Sequence, residues 1–377
     1  MPRPLRFRRV FMVAVSLVLA AAMARAEGSV SAAAPTPDPV ADPAPAPVHA
    51  PSGSFDLSGG IYLFEYLPAL KGVDPKLEIY AFLLNVDAAT ADKSYGLHVQ
   101  TRARDSKLRS YFVSDVWFQE AYVWAKTPVG DVHAGKFYRK VGVLWDDSFF
   151  GNVQYFNGLK LNPDYGVELV GSRPLAPGFS LDYSAQYFAN NDHVAGSLAG
   201  RDVESDPQAS LRDTVTARVV PTWSLGAGRS LAFGLSGLSG HIERAGGPAL
   251  GSFSLSQAAG DVTLTWGPTV SYVEVLKQNG IRPALSPDLR LGYLDGTYLL
   301  AGVRWQALPR LNLRINYSQV DYPGLRTTEV EWVPGAVVGL HDKLDLIVEY
   351  DGWKSEPRGG PDVFIDKSYN LVLHYSF

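Results

Sequence analysis

The sequence predicts an all-β fold: a membrane-spanning antiparallel β-barrel, most simply of sixteen strands. Three observations carry this prediction. Apolar and polar residues alternate through successive stretches of about ten residues, short and long connections alternate between those stretches, and the polar faces carry many charged side chains. Strict alternation is the period of a β-strand rather than of a helix. No convincing amphipathic helix interrupts the pattern.

The composition removes several other classes of protein. The chain has 377 residues, of which 46% are hydrophobic, 12% aromatic and 19% charged, and it contains no cysteine. A bundle of transmembrane helices would need several apolar runs of about 20 residues. A disordered polymer would hold far fewer aromatic residues. Without cysteine the chain has no disulfides, no thiolate metal ligands, no cysteine nucleophile and no lipoprotein anchor.

The first 26 residues have the pattern of a secretory signal peptide. Four arginines precede an apolar run over residues 10–22, and Ala24-Arg25-Ala26 provides a cleavage site after Ala26. An anchoring helix is the weaker alternative, because the run is shorter than a membrane span. Removing residues 1–26 takes away five arginines and no acidic residue, which changes the formal net charge from −4 to −9. Such an acidic exported chain is not expected to bind nucleic acid.

Residues 27–52 are rich in proline and alanine. A tract of this kind forms neither helix nor sheet, and it predicts a disordered periplasmic leader. A specific binding motif is the less favoured interpretation. The barrel is then expected to occupy residues 53–377.

Strand by strand, the alternation is clearest over Phe179–Tyr187, and it recurs over Tyr95–Arg104, Leu311–Tyr317, Leu344–Tyr350 and Tyr369–Phe377. Seven short and eight long connections separate the stretches, and fifteen connections join sixteen strands. If long connections face one side, both chain ends emerge on the short-turn side. An even strand number and this alternation are typical of outer-membrane barrels.

A soluble sandwich also shows alternation, but its strands are usually five or six residues long. Here the pattern holds for nine to eleven residues, and the polar faces carry charges that need water on that side. Aromatic residues gather at the strand ends, as in the interfacial girdles of membrane barrels. An open sheet edge in hydrocarbon is too costly, so the sheet is expected to close.

The last strand shows the same pattern and ends the chain: Tyr369, Leu371, Leu373, Tyr375 and Phe377 occupy every second position. Here the sequence resembles the Gram-negative outer-membrane porins, which typically finish on such a strand. The resemblance implies that these five residues are an assembly signal read by the barrel-assembly machinery, rather than an ordinary edge strand. It also implies outer-membrane location, contact with outer-membrane lipid and a homotrimer.

The resemblance is most specific around the third long connection. Gly135-Lys-Phe-Tyr-Arg139, Phe149–Tyr155 and Gly158–Gly166 look like the end of the fifth strand and the inward-folded third loop of sixteen-stranded porins. The aromatic residues of this connection need a wall on which to pack, which favours inward folding over an exposed loop with its own small cluster.

Charged residues around such a constriction would select ions. We predict Asp146 and Asp147 as its acidic side. The basic side is predicted to be Arg102, Arg104 and Lys136, extended across the lumen by Arg218 and Arg314. For each of these residues, a merely solvated side chain is the alternative.

Motifs for catalysis are missing from the sequence. The seven histidines have no metal-ligand spacing, and neither a nucleophile elbow nor a Walker loop occurs. The sequence therefore predicts no enzyme, no cofactor and no metal site, but a porin for passive diffusion of ions and small hydrophilic solutes. The alternative is a closed outer-membrane barrel that acts as an enzyme or surface-binding protein through its long connections 190–210 and 278–295.

Overall fold

The computed structural model describes residues 53–103, 116–143, 149, 153, 163–190, 209–244, 253–280 and 294–377. These ranges contain sixteen strands, which confirms the predicted number. Among the described residues, no helix has the length and apolar character needed to cross a membrane. The strands are β1 Ser54–Pro68, β2 Lys76–Ala89, β3 Tyr95–Ala103, β4 Val116–Thr127, β5 Gly130–Tyr138, β6 Pro163–Ala176, β7 Phe179–Asn190, β8 Ala209–Ser224, β9 Arg229–Arg244, β10 Phe253–Trp266, β11 Thr269–Asn279, β12 Gly296–Leu308, β13 Leu311–Tyr322, β14 Thr327–His341, β15 Leu344–Pro357 and β16 Val363–Ser376.

The sheet is a single closed barrel in which every strand pairs antiparallel with its neighbours in sequence. The first and last strands close it, in a register that runs from Gly60 opposite Ser376 to Pro68 opposite Ser368. Closure leaves no unpaired strand edge, which is the condition for a sheet to exist in hydrocarbon. A two-sheet sandwich, the soluble alternative, is therefore wrong for the described part of the chain.

The two rims of the barrel differ as predicted. Seven connections of two to five residues lie at one end, and eight connections of four to 24 residues lie at the other. β1 begins and β16 ends at the short-turn rim, so that both ends of the barrel emerge on the same side. The longest connection joins β5 to β6 and is the third at the long-connection rim.

The surface is inverted relative to that of a soluble protein. On β11, Val273 and Val275 are about half exposed (49% and 50%), whereas Glu274 between them is completely buried. The same contrast holds on β14, where Trp332 is exposed and Glu331 is buried. Side chains alternate across a strand, so the apolar set faces outward and the polar set faces the interior.

The interior is not polar throughout, which corrects the simple expectation of a charged inner face. Near the long-connection rim, buried apolar side chains form a cluster that includes Leu276, Tyr298 and Tyr322. Val141 and Val153, from the β5–β6 connection, belong to the same cluster. Inward apolar side chains are stable here because residues of the connection cover them.

Glycine is required where β5 meets its neighbour. Gly135 has a φ of +147°, and a Cβ at this position would lie 2.2 Å from the carbonyl oxygen of Ala121 on β4. Only glycine tolerates both the backbone conformation and the close approach. This position lies four residues before Arg139, where the long connection begins.

Candidate functional site

The interior of the barrel holds the described members of the predicted constriction. Arg102, Lys136, Arg218 and Arg314 lie on β3, β5, β8 and β13, so they are spread around the wall rather than gathered on one side. Asp146, Asp147 and Arg104 lie outside the described residues. The constriction as a whole therefore stays a prediction.

Arg218 is paired with Asp261 of β10. Its two terminal nitrogens donate to the two carboxylate oxygens at 2.6 and 2.9 Å, a bidentate arrangement. The pair crosses β9, where Gly234 leaves room for it: a Cβ there would lie 2.2 Å from Asp261 Oδ2. Asp261 could not be recognised as this partner from the alternation pattern. The sequence feature that could have indicated the pair is Gly234, an inward-facing glycine on the strand between the two charged residues.

Arg314 is paired in the same way across a strand. Its Nη2 donates to Glu349 Oε1 on β15 at 2.7 Å. Gly335 of the intervening β14 makes room, since a Cβ there would lie 2.8 Å from Glu349 Cγ. Two of the arginines predicted for the basic side thus have carboxylate partners that compensate their charge.

The other two predicted cations among the described residues are held by different contacts. The Arg102 guanidinium lies over the rings of Tyr80 and Trp117, at 5.4 and 5.8 Å from the ring centroids. Its Nη1 is 3.4 Å from Gln119 Oε1. Lys136 is only 2% exposed, and its Nζ donates to the carbonyl oxygen of Phe118 at 2.5 Å. A lysine buried in this way lies away from the water-accessible surface.

Beyond Lys140, four described residues of the β5–β6 connection donate their backbone N–H groups to inward-facing side chains. Gly142 donates to Ser236 of β9 at 2.8 Å, and Val143 donates to Glu274 of β11. Phe149 donates to Glu349 of β15 at 2.7 Å, and Val153 donates to Ser318 of β13 at 3.1 Å. These four acceptors lie on alternate strands around the far wall.

The ring of Phe149 packs against the wall formed by the first two strands. Its centroid lies 5.7 Å from Tyr62, 5.9 Å from Phe64 and 5.1 Å from Tyr80. Aromatic pairs at these separations are attractive beyond the area they bury. Phe149 therefore has both a backbone anchor and a side-chain anchor on the barrel interior.

Ion pairs hold the start of the same connection. Arg139 Nε lies 3.3 Å from Asp164 Oδ2, and both side chains are 5% exposed. Lys140 Nζ lies 2.6 Å from Glu168 Oε1 on β6, and the Lys140 N–H donates to Gln186 Oε1 of β7 at 2.8 Å. These contacts direct the chain away from the strand end.

Three histidine–carboxylate pairs lie on the interior wall. The third joins His374 Nδ1 to Asp345 Oδ2 at 3.7 Å, and the other two lie beside Tyr122. His98 Nδ1 is 2.7 Å from Asp87 Oδ1, and His133 Nδ1 is 3.0 Å from Glu168 Oε2. Tyr122 of β4 lies between the two imidazoles. No group of three or more potential metal-ligating side chains occurs within the described ranges.

One carboxyl group outside the strands, that of Asp92 in the β2–β3 turn, has a shifted pKa. Hydrogen bonds from Thr90 and Ser94 lower the pKa of the Asp92 carboxyl from 3.8 to about 2. Hydrogen bonding to the charged form of a carboxyl favours that form. This group stabilises a rim turn and is not part of the interior.

The residues predicted as an assembly signal lie on the last strand and directly after it. Tyr369, Leu373, Tyr375 and Phe377 are exposed, and Leu371 is half-buried. The backbone of Phe377 pairs with Gly59 in both directions at 3.1 Å. The end of the chain is therefore built into the seam that closes the barrel.

Together, these features define a closed sixteen-stranded antiparallel barrel with an apolar exterior, the fold of outer-membrane porins. OmpF of Salmonella typhi, solved in complex with daunomycin, superposes with a TM-score of 0.62 at 12% identity, over 88% of this chain and 99% of that one. The outer membrane channel DcaP of Acinetobacter baumannii gives a TM-score of 0.60 at 14% identity, over 86% and 97%. An anion-selective porin from Comamonas acidovorans gives 0.57 at 12% identity, over 86% and 100%.

These likenesses show the fold alone, because the identities are low. No protein-family model matches the sequence, and no curated protein matches it. The subfamily is therefore not resolved.

Proposed function

We propose that this chain is an outer-membrane porin that passes ions and small hydrophilic solutes down their gradients, without catalysis or cofactor. The observation that carries the proposal is the closed sixteen-stranded barrel whose apolar side chains face outward and whose charged side chains face inward. A barrel of sixteen strands is too wide for wall side chains to fill its interior, so that an aqueous path remains.

The β5–β6 connection is proposed to fold into the barrel and narrow this path. Support comes from the four backbone hydrogen bonds to β9, β11, β13 and β15, and from the packing of Phe149 against β1 and β2. A connection that lay outside the barrel could not reach side chains on so many inward faces. Asp146 and Asp147 belong to this connection and remain the proposed acidic side of the constriction.

The proposed channel favours cations over anions. Arg218 and Arg314 would otherwise attract anions, but Asp261 and Glu349 compensate their charges. The charge of the chain without residues 1–26 is also negative. The preference is set by groups that stay accessible to water, since paired charges contribute little to the field.

Export and assembly belong to the same proposal. Residues 1–26 would direct secretion, residues 27–52 would form a periplasmic leader, and the barrel-assembly machinery would read the five alternating residues that end the chain. The barrel would then reside in the outer membrane as a homotrimer. The resemblance to outer-membrane porins supports each of these steps.

Planar-bilayer recording tests the proposal directly. Purified protein should insert in steps of fixed conductance, and liposomes that carry it should swell in small sugars. In a salt gradient, the reversal potential should report cation preference, and D146N/D147N should shift it toward anions. Electrically silent insertion would refute the porin role and favour the alternative, a closed barrel that acts through its long connections.

A further inference from the structure

A continuous row of polar and aromatic side chains crosses the interior wall from β2 to β6. His98 contacts Asp87 on one side, and His133 contacts Glu168 on the other. The Tyr122 ring lies between the imidazoles, 5.0 Å from His98 and 4.7 Å from His133, and it stacks on His133 at an interplanar angle of 15°. One tyrosine ring thus contacts both imidazoles.

Both histidines lie at the same depth in the barrel, close to the short-turn rim. His98 is the fourth residue of β3 and His133 is the fourth residue of β5. Their side chains are 17% and 14% exposed, and Asp87 beside His98 is 50% exposed, so that this part of the wall borders the water of the interior. Three residues of strand place them about 10 Å from the rim.

The charged groups that surround the two imidazoles are mostly acidic. The surrounding strands β1 to β6 and the β5–β6 connection contribute five carboxylates and three cationic side chains, namely Asp56, Asp87, Glu120, Asp131, Glu168, Arg102, Lys126 and Lys140. With both imidazoles neutral, this part of the wall has an excess of two negative charges. With both protonated, the charges balance.

From this arrangement we propose that His98 and His133 determine ion selectivity at the short-turn mouth in a proton-dependent manner. Imidazole is the side chain that ordinarily changes charge between pH 5 and pH 8. Near pH 8 the wall attracts cations, and acidification removes that attraction without closing the path. This inference rests on the proposed channel function and adds to it the residues that tune which ions pass.

The size of the effect follows from Coulomb's law. Two unit charges at about 8 Å from a permeating ion, in water with 0.1 M salt, change the ratio of cation to anion permeability by about fourfold. The change is fully developed only when both imidazoles titrate. One imidazole alone gives about twofold by the same arithmetic.

The test compares reversal potentials in a potassium chloride gradient between pH 5 and pH 8 for the unaltered protein and the H98Q/H133Q variant. Glutamine keeps a donor for Asp87 and Glu168 but does not titrate. H241Q is the matched control, because His241 of β9 is exposed on the opposite face of its strand, near the other rim. H98Q and H133Q are also measured singly, in case the double variant fails to assemble.

The cation preference of the unaltered protein and of H241Q should fall about fourfold on acidification, as expected for two unit charges at about 8 Å. The double variant should conduct normally and lose most of the effect, keeping at most the smaller contribution of His374, whose imidazole lies on the same inner face beside Asp345. Each single variant should keep about half of the effect on a logarithmic scale. A steep profile in the double variant, or a flat profile in the unaltered conducting protein, overturns the inference and leaves the porin role intact. Absence of conductance at every pH overturns the porin role instead.

Discussion

Glu349 joins the β5–β6 connection to the barrel wall, and its replacement by alanine should release that connection. Its Oε1 accepts from the Phe149 N–H and from Arg314 Nη2, both at 2.7 Å, and the side chain is 1% exposed. A hydrogen bond to a charged group contributes about 1.5–3 kcal/mol. We take about 2 kcal/mol for the bond from Phe149; the loss of the partner of Arg314, whose side chain is 11% exposed, acts on the barrel wall rather than on the connection.

That energy corresponds to about a 30-fold shift between the attached and detached states of the connection, at tenfold per 1.4 kcal/mol. Single-channel recording measures it, because a detached segment fluctuates in the current path and raises the open-channel noise. E349Q keeps an acceptor oxygen for the Phe149 N–H and should show an intermediate effect. The barrel itself should stay folded, as judged by its heat-dependent mobility in SDS gels.

The control is D342A, which also removes a carboxylate from an arginine. The Arg310–Asp342 pair has a distance of 3.1 Å, but the side chains are 61% and 81% exposed. Exposed pairs contribute about 0–1 kcal/mol, so this variant should behave as the unaltered protein. Equal noise and conductance in E349A and D342A would refute the role of Glu349 as an anchor.

Three further predictions concern other parts of the barrel. In a double-mutant cycle of R218A and D261A, the free energy of unfolding in detergent should show a coupling of about 2 kcal/mol, because the pair is bidentate and largely buried; a coupling near zero would mean that both groups are solvated. F377A should lower the amount of assembled barrel in outer-membrane fractions several-fold, because the terminal ring lies against Phe82 at 6.1 Å in the closing seam; S376A is the control, and equal yields would count against the assembly signal. NMR titration of the Asp92 carboxyl should give a midpoint of about 2. Since its pKa is lowered on folding, its contribution to the stability of the turn is complete above its ordinary pKa of 3.8 and is lost as the pH falls through about 2; a midpoint near the ordinary value would contradict the turn hydrogen bonds.

The strands and their order could be predicted because a membrane barrel repeats one local rule. Alternation within a strand such as Leu311–Tyr322 shows which residues face outward. Each short turn then places the next strand antiparallel beside it. The inward apolar cluster around Tyr298 could not be predicted in this way. Inward-facing and outward-facing aromatic residues both recur at every second position, so the sequence pattern does not separate the two. In the structure, Val141 and Val153 of the β5–β6 connection pack against the inward-facing ones.

The charge pairs could not be predicted for a different reason. Alternation places Arg218 and Asp261 on the same side of the sheet, but they are 43 residues apart and on strands separated by a third. Their contact depends on the register of both ladders and on the missing side chain of Gly234. Lys136 shows the same limit, because its burial against Phe118 follows from local backbone geometry near Gly135.

These pairings change how the charge of the interior has to be counted. An arginine on the inward face attracts anions only if no carboxylate lies beside it, and Arg218 and Arg314 both have such a neighbour. The carboxylate beside Arg314 also accepts from the β5–β6 connection, so that a single group serves charge compensation and anchoring. Selectivity should therefore depend less on the total number of inward charges than on those that remain near water. Among the described residues of the interior wall, Asp87 and Lys140 meet that condition, since their side chains are 50% and 36% exposed.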